Sequence, residues 1–207
     1  MSFPESGRRF LRELELNNNR DWFNAHKAEY ETEVKGPSEE FFEDVQQGLA
    51  DLRGEEFGGK LYRIYRDVRF SKDKTPYTPY VRMSFWRMPE ESGLCRAFHA
   101  SIEPDRLTVG TGVWEFDSER LAAFRQSVDE LPAVLDALVE MGARIPEPEL
   151  ARVPKGFDAA LPLADHYRRK GISAWFDHEL DREAIEASLA LDGMRKLTPL
   201  YDWLCKF

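Results

Sequence analysis

Tyr80-Val81-Arg82-Met83-Ser84-Phe85-Trp86-Arg87-Met88 alternates its side chains with a period of two and opens the part of the chain that decides the fold. Two similar segments follow, Cys95 to Ile102 and Leu107 to Trp114, and one precedes it, Leu61 to Phe70. All are rich in the β-branched and aromatic residues that suit a pleated, half-buried surface. The links Pro89-Glu90-Glu91-Ser92-Gly93 and Glu103-Pro104-Asp105-Arg106 have hairpin length, too short for a helical crossover. An antiparallel sheet of about four strands is therefore expected over residues 60–115, with Ser71 to Pro79 as an exposed loop.

On either side the apolar spacing changes to three or four. Phe10, Leu11, Leu14 and Leu16 make a short helical stripe that stops in Asn17-Asn18-Asn19, residues that favour turns and caps. A second helix should run from Asn19 through Trp22, Phe23, His26, Tyr30 and Val34 to a break at Gly36-Pro37. Ser38 is then expected to cap a third helix, carrying Phe41, Val45 and Leu49 to Gly54. After the sheet, Asp117 or Ser118 can cap a helix through Leu131, and Pro132 can open another to Gly142. Residues 145–156 read as loop, Asp181 as the cap of a helix through Leu189, and Thr198-Pro199 as the start of a last helix. The expectation is one α+β domain over 1–207: helices 6–53, sheet 60–115, helices and loops 117–207.

A hydrophobic fraction of 42% with 13% aromatics excludes a disordered chain, and 207 residues can bury a substantial core. Cys95 and Cys205, far apart in a chain without an apolar leader, predict no disulfide framework, and a reducing cytoplasm is the expected compartment. No run approaches the length of a membrane span, so no membrane partner is expected. A net charge of -9 argues against nucleic acid as a partner.

The charge is unevenly spread. Lys60 to Arg82 holds seven basic residues against Asp67 and Asp73, a net +5, which leaves -14 for the remainder. Alternation puts Arg63, Tyr65, Asp67 and Arg69 on one face of the first strand, and Arg66 on the other among Ile64, Val68 and Phe70. A guanidinium facing a core must be paired, so a carboxylate is expected to meet Arg66. On the polar face Asp67 can orient one arginine and leave the other free to fork onto a phosphate or carboxylate. Beside the anion site stand two plainer readings: an internal ion-pair network, or a solvated face.

Arg63-x-x-Arg66-Asp67-x-Arg69-Phe70-x-x-x-Lys74-x-x-Tyr77, with Asp73 before Lys74, closely resembles the motif of an uncharacterised bacterial and fungal family, domain of unknown function 2461. Asn17-Asn18-Asn19-Arg20-Asp21-Trp22-Phe23 is similar to that family's amino-terminal segment, with Asp21 in place of Glu, and Arg152-Val153-Pro154-Lys155-Gly156-Phe157 to a later one. The resemblance implies that Arg63, Arg66, Asp67, Arg69, Asp73, Lys74 and Tyr77 act together, with Arg20 and Lys155 as candidates to meet them. It implies no activity, substrate or cofactor.

Four histidines without an HxH or HxxxH pair assign no metal, and His99 is the best single candidate. Gly110-Thr111-Gly112 lacks the phosphate-loop pattern and reads as strand glycines that allow a close backbone approach or a bulge. The leading expectation is a domain that binds or acts on a small phosphorylated or carboxylated ligand. Arg63 and Arg69 with Lys74 would hold it, and Asp67 would serve as orienter or general base. The alternative is a non-catalytic protein-interaction domain in which the Arg/Asp motif is a structural network.

Overall fold

The computed structural model describes residues 2–88, 97–157, 162–181 and 183–206. In chain order the elements are β1 (Ser2–Phe3), α1 (Glu5–Leu16), α2 (Arg20–Ala25), α3 (Lys27–Glu29), a π-helical turn (Tyr30–Lys35), α4 (Gly36–Arg53), β2 (Phe57–Leu61), β3 (Val81–Arg87), β4 (Ala97–Ile102) and β5 (Arg106–Val113). There follow α5 (Ser118–Gln126), a 3-10 turn (Val128–Glu130), α6 (Leu131–Glu140), α7 (Ala164–Tyr167), β6 (Ile172–Glu179), β7 (Ile185–Glu186) and α8 (Ala187–Leu204). The fold is α+β. Its main sheet is antiparallel, with strand order β2-β3-β4-β5-β6, and β1 pairs with β7 apart from it.

Alternation gives the sheet two unlike faces. Val81, Met83, Phe85, Phe98, Ile102, Leu107, Val109, Ile172 and Phe176 are buried in one core cluster with α1, α4, α6 and α8. Removing such side chains from water supplies roughly 1.5–3 kcal/mol each and holds the helices on this face. The intervening residues, among them Arg82, Ser84, His99, Ser101, Gly110, Ser173 and Trp175, belong to the other face. No described helix is long and apolar enough to cross a membrane.

Several expectations are corrected. The strand expected from Leu61 to Phe70 ends at Leu61, because the pairing with β3 slips by two residues. Tyr62 N–H still donates to the Arg82 carbonyl (2.9 Å), but Thr78 N–H donates to Ile64 (2.8 Å) and Arg66 N–H to Pro76 (2.9 Å). Pro79 and Tyr80 are looped out, and Pro76 and Pro79 have no N–H with which to extend a ladder. The fifth strand, β6, was expected as no element at all, although Ile172, Ala174 and Phe176 alternate with Ser173, Trp175 and Asp177.

Gly36-Pro37 does not break the helical run. Pro37 lies in the first turn of α4, which continues directly from the π-helical turn through a helical Lys35, and Ser38 donates back to the Val34 carbonyl (2.5 Å) instead of capping. Asp181 caps no helix: α8 starts at Ala187 after β7 and runs through Pro199. Asn19, Asp117 and Gly54 take the capping places expected of them. Cys95 and the 89–93 hairpin loop lie outside the described residues.

Candidate functional site

The motif segment folds as a self-bonded loop. Arg66 lies at the rim, its side chain 29% exposed, and its partner is Asp73, with Nη1 donating to Oδ2 (2.5 Å), to the Thr75 carbonyl (3.2 Å) and to the Thr75 hydroxyl. Asp73 also accepts from the Thr75 N–H (2.9 Å); that bond first, then Arg66, holds its carboxyl down at about 2. Arg66 is therefore not the core-facing guanidinium that alternation implied. Its guanidinium folds back onto its own loop instead.

Asp67 accepts from Arg69 Nε (2.9 Å), Nη2 (2.6 Å) and backbone N–H (3.2 Å). These bonds from Arg69 lower its pKa, which favours the charged carboxylate and suits orientation rather than proton abstraction. Lys74 Nζ donates to the Val68 carbonyl (3.0 Å). Tyr77 is buried and stacked on Phe23 (4.0 Å), and burial first, then Tyr65, pushes its hydroxyl pKa up, while nearby Arg20 pulls it down. Asn18 clamps the same residue, donating to its carbonyl (2.9 Å) and accepting from its N–H (3.1 Å). The asparagine run and the motif thus meet through backbone.

Arg63 is exposed and Asp67 feels its charge, yet among the described residues it makes no hydrogen bond or ion pair. Lys155, in the loop after α6, is exposed, and no bond joins it to the motif among the described residues. A polar depression of about 380 Å³ beside Arg66, Asp73 and Thr75 also includes Glu15, an acid that disfavours an anion there. Arg69 is taken up by Asp67 and Lys74 by the Val68 carbonyl, while Arg63 has no such partner among the described residues.

The two ends of the basic segment do converge, on the other side of the sheet. Lys60 Nζ lies 5.1 Å and the Arg82 guanidinium carbon 5.3 Å from the centre of the Tyr62 ring. Among the described residues neither cation has a carboxylate partner. Tyr62 and Arg82 border a cavity of about 350 Å³ on the open face, whose lining includes Ser84, His99, Trp114 and Trp175 and, among the described residues, no Asp or Glu. The acid nearest in register, Asp177, faces Arg144 (2.8 Å) and Thr108 (2.9 Å), so its charge is already matched.

His99 and Ser84 are cross-strand partners, with Ser84 Oγ 2.8 Å from Nδ1 and 3.3 Å from the Tyr62 hydroxyl. Burial lowers the His99 pKa from 6.5 to about 4, so the ring is neutral at neutral pH. Because the folded value lies below the unfolded one, the unfolded chain binds more protons between them and stability falls as pH drops from about 6.5 to about 4. At pH 4.5 the loss should be about 2 kcal/mol. Urea melts at pH 7 and 4.5 check this: His99→Gln should show a smaller acid penalty than wild type, and an equal penalty would remove His99 as its source.

Of this cavity, sequence reading marks His99, the glycine pair of β5 and Arg82 as the end of the basic segment, and it takes Trp175 for a core aromatic. Its residues are contributed one or two at a time by separate strands, and no local spacing marks them. Trp114 gave the one available signal, a tryptophan at the end of a strand that is left 86% exposed. A family model described as a conserved hypothetical protein (DUF2461) matches residues 7–203. No curated protein matches the chain.

Proposed function

The chain belongs to this family of conserved hypothetical proteins, and we propose that it binds a small anionic ligand, phosphorylated or carboxylated, on the open face of the sheet. One observation carries the reading. In a chain of net charge -9, Lys60 and Arg82 flank one tyrosine ring at the edge of a cavity, and among the described residues neither has a carboxylate partner and no acid lines the cavity. A guanidinium held against aromatic faces keeps its fork free for an oxyanion, and each charge-assisted hydrogen bond there contributes about 1.5–3 kcal/mol when desolvated. The motif residues Arg66, Asp67, Arg69, Asp73, Lys74 and Tyr77 then take a supporting part, fixing the segment that joins Lys60 to Arg82.

A second reading rests on a different surface. Phe70 is 96% exposed beside Arg69, and Arg63 is unpaired among the described residues, features of a loop that docks an acidic protein partner.

A thermal-shift screen against phosphate, sulfate, sugar phosphates and small carboxylates separates the two. A ligand at a hundred times its dissociation constant adds about 2.7 kcal/mol to the native state. The expected result is one class that raises the melting temperature of wild type and Arg69→Met but not of Arg82→Met. Loss of the shift in Arg69→Met alone would return the site to the motif loop, and no shift in any variant would favour the docking reading.

A further inference from the structure

We infer that the ligand of the open face carries a planar aromatic ring beside its anionic group, as a purine nucleoside monophosphate does, with His99 and Trp175 as the floor under that ring. The inference rests on the anion reading of the same cavity and narrows it to a substrate class.

The floor follows from the strand register. His99 pairs with Gly110 and Gly110 with Trp175, so the two aromatic residues stand on strands either side of a glycine. Strands lie about 4.8 Å apart, which would put residues two strands apart at about 10 Å. The ring centroids are 6.1 Å apart with planes inclined by only 26°. The indole therefore leans over Gly110 toward His99. A Cβ on that glycine would fall 2.1 Å from Trp175 Cε3, so only a glycine lets the indole lie down on the backbone.

Each ring is also pinned. Trp175 Nε1 donates to Ser173 Oγ (2.9 Å), and His99 Nδ1 is held by Ser84 (2.8 Å). His99 Nε2 has no hydrogen-bond partner among the described residues, and its ring lines the cavity. The result is a fixed, uncharged aromatic floor of two rings whose planes lie 26° apart. A π-face takes any flat ring, and stacking needs no further recognition. A pyranose covers one ring with its C–H face, whereas two adjacent rings match a fused bicyclic base, whose polar edge can meet Ser101 and Ser173.

The charges lie at the right remove. Lys60 is in register with Ser84, which is in register with His99, and Arg82 is in register with Ser101, so Lys60 stands two strands and Arg82 one strand beyond His99. A ring and an oxyanion joined through one sugar span such a separation.

Calorimetric titration with AMP, glucose 6-phosphate and orthophosphate tests this. Wild type is expected to bind AMP roughly tenfold or more tightly than glucose 6-phosphate, the scale of one base stacked on an aromatic side chain. Trp175→Leu should erase that preference while leaving glucose 6-phosphate binding in place, and Trp175→Phe should keep most of it. If Trp175→Leu does not fold, Gly110→Ala, which tilts the indole without removing it, should erase the preference instead. Equal affinity of wild type for AMP and glucose 6-phosphate would overturn the ring and leave the anion reading standing. A preference unchanged in both Trp175→Leu and Gly110→Ala would also overturn it. Absence of binding by all three probes would remove the anion reading and this inference with it.

Discussion

Replacing Arg8 by methionine is expected to cost about 3 to 4 kcal/mol of stability, read as a melting temperature roughly 10 °C lower. Arg8 is 1% exposed, on the face of α1 that also buries Phe10, Leu11 and Leu14. Its guanidinium is held by backbone carbonyls: Nη2 donates to Glu183 (2.7 Å) and to Asp181, and Nη1 to Pro104 (3.3 Å). Methionine fills much of the volume but strands the Asp181 and Glu183 carbonyls, at about 1–3 kcal/mol for each that stays buried, while Pro104 keeps a bond from Arg12 (3.1 Å). Burial lowers the arginine's own pKa, a sign of a charge kept from water. The contrast is Arg66→Met. That ion pair is partly solvated on both sides, and its loss should cost about 1 kcal/mol or less. Thermal melts of the two variants side by side check the assignment, and equal destabilisation would show that the buried cation has been misplaced.

Gly112→Ala should be at least as damaging, at about 4 kcal/mol. Gly112 sits in β5 at φ +152, where a Cβ would lie 2.3 Å from the Ile172 carbonyl oxygen and 2.4 Å from Ser173 Cα. Both are backbone atoms of β6, so no rotamer change relieves the clash and the two strands must part. Gly142 is the control: it has φ +89 with nothing within 4 Å of its Cβ position, so alanine there meets backbone strain alone. Gly142→Ala should lose about 1 kcal/mol. Denaturant melts that rank the two in the opposite order would contradict the close β5–β6 approach.

Much of the fold could be read from periodicity because the periodicity is driven by burial on one side. The stripes of α1, α4, α5 and α6 and the alternation of β3, β4 and β5 each face a core that lies to one side. The strand expected at 61–70 failed for a reason its own composition hides: alternation continues past Leu61, but its partner segment contains Pro76 and Pro79 and two looped-out residues. Propensity in one strand does not report the register of the other. β6 was legible and overlooked, since Ile172 to Phe176 alternates as cleanly as β3 does.

Arg8 was not legible. One arginine in an amphipathic helix is ordinarily a solvated residue, and only the return of residues 104, 181 and 183 to that spot makes it an anchor. The candidate site divides along the same line. The basic segment from Lys60 to Arg82 stands out as a charge imbalance within the chain. That its two ends meet across the Tyr62 ring depends on the register of β2 against β3. The pavement of His99 and Trp175 depends on three strands aligning across Gly110, a pattern of sheet rows that a linear motif does not contain.

The central claim, that the open face of the sheet and not the motif loop receives the ligand, is tested most directly by chemical-shift mapping with orthophosphate and AMP on isotope-labelled protein. Signals of Lys60, Tyr62, Arg82, His99 and Trp175 should move with a common saturation curve, while those of Arg63, Arg69 and Lys74 stay in place. Shifts confined to Arg63, Arg69 and Lys74, with the Trp175 and His99 signals unmoved at saturation, would contradict it.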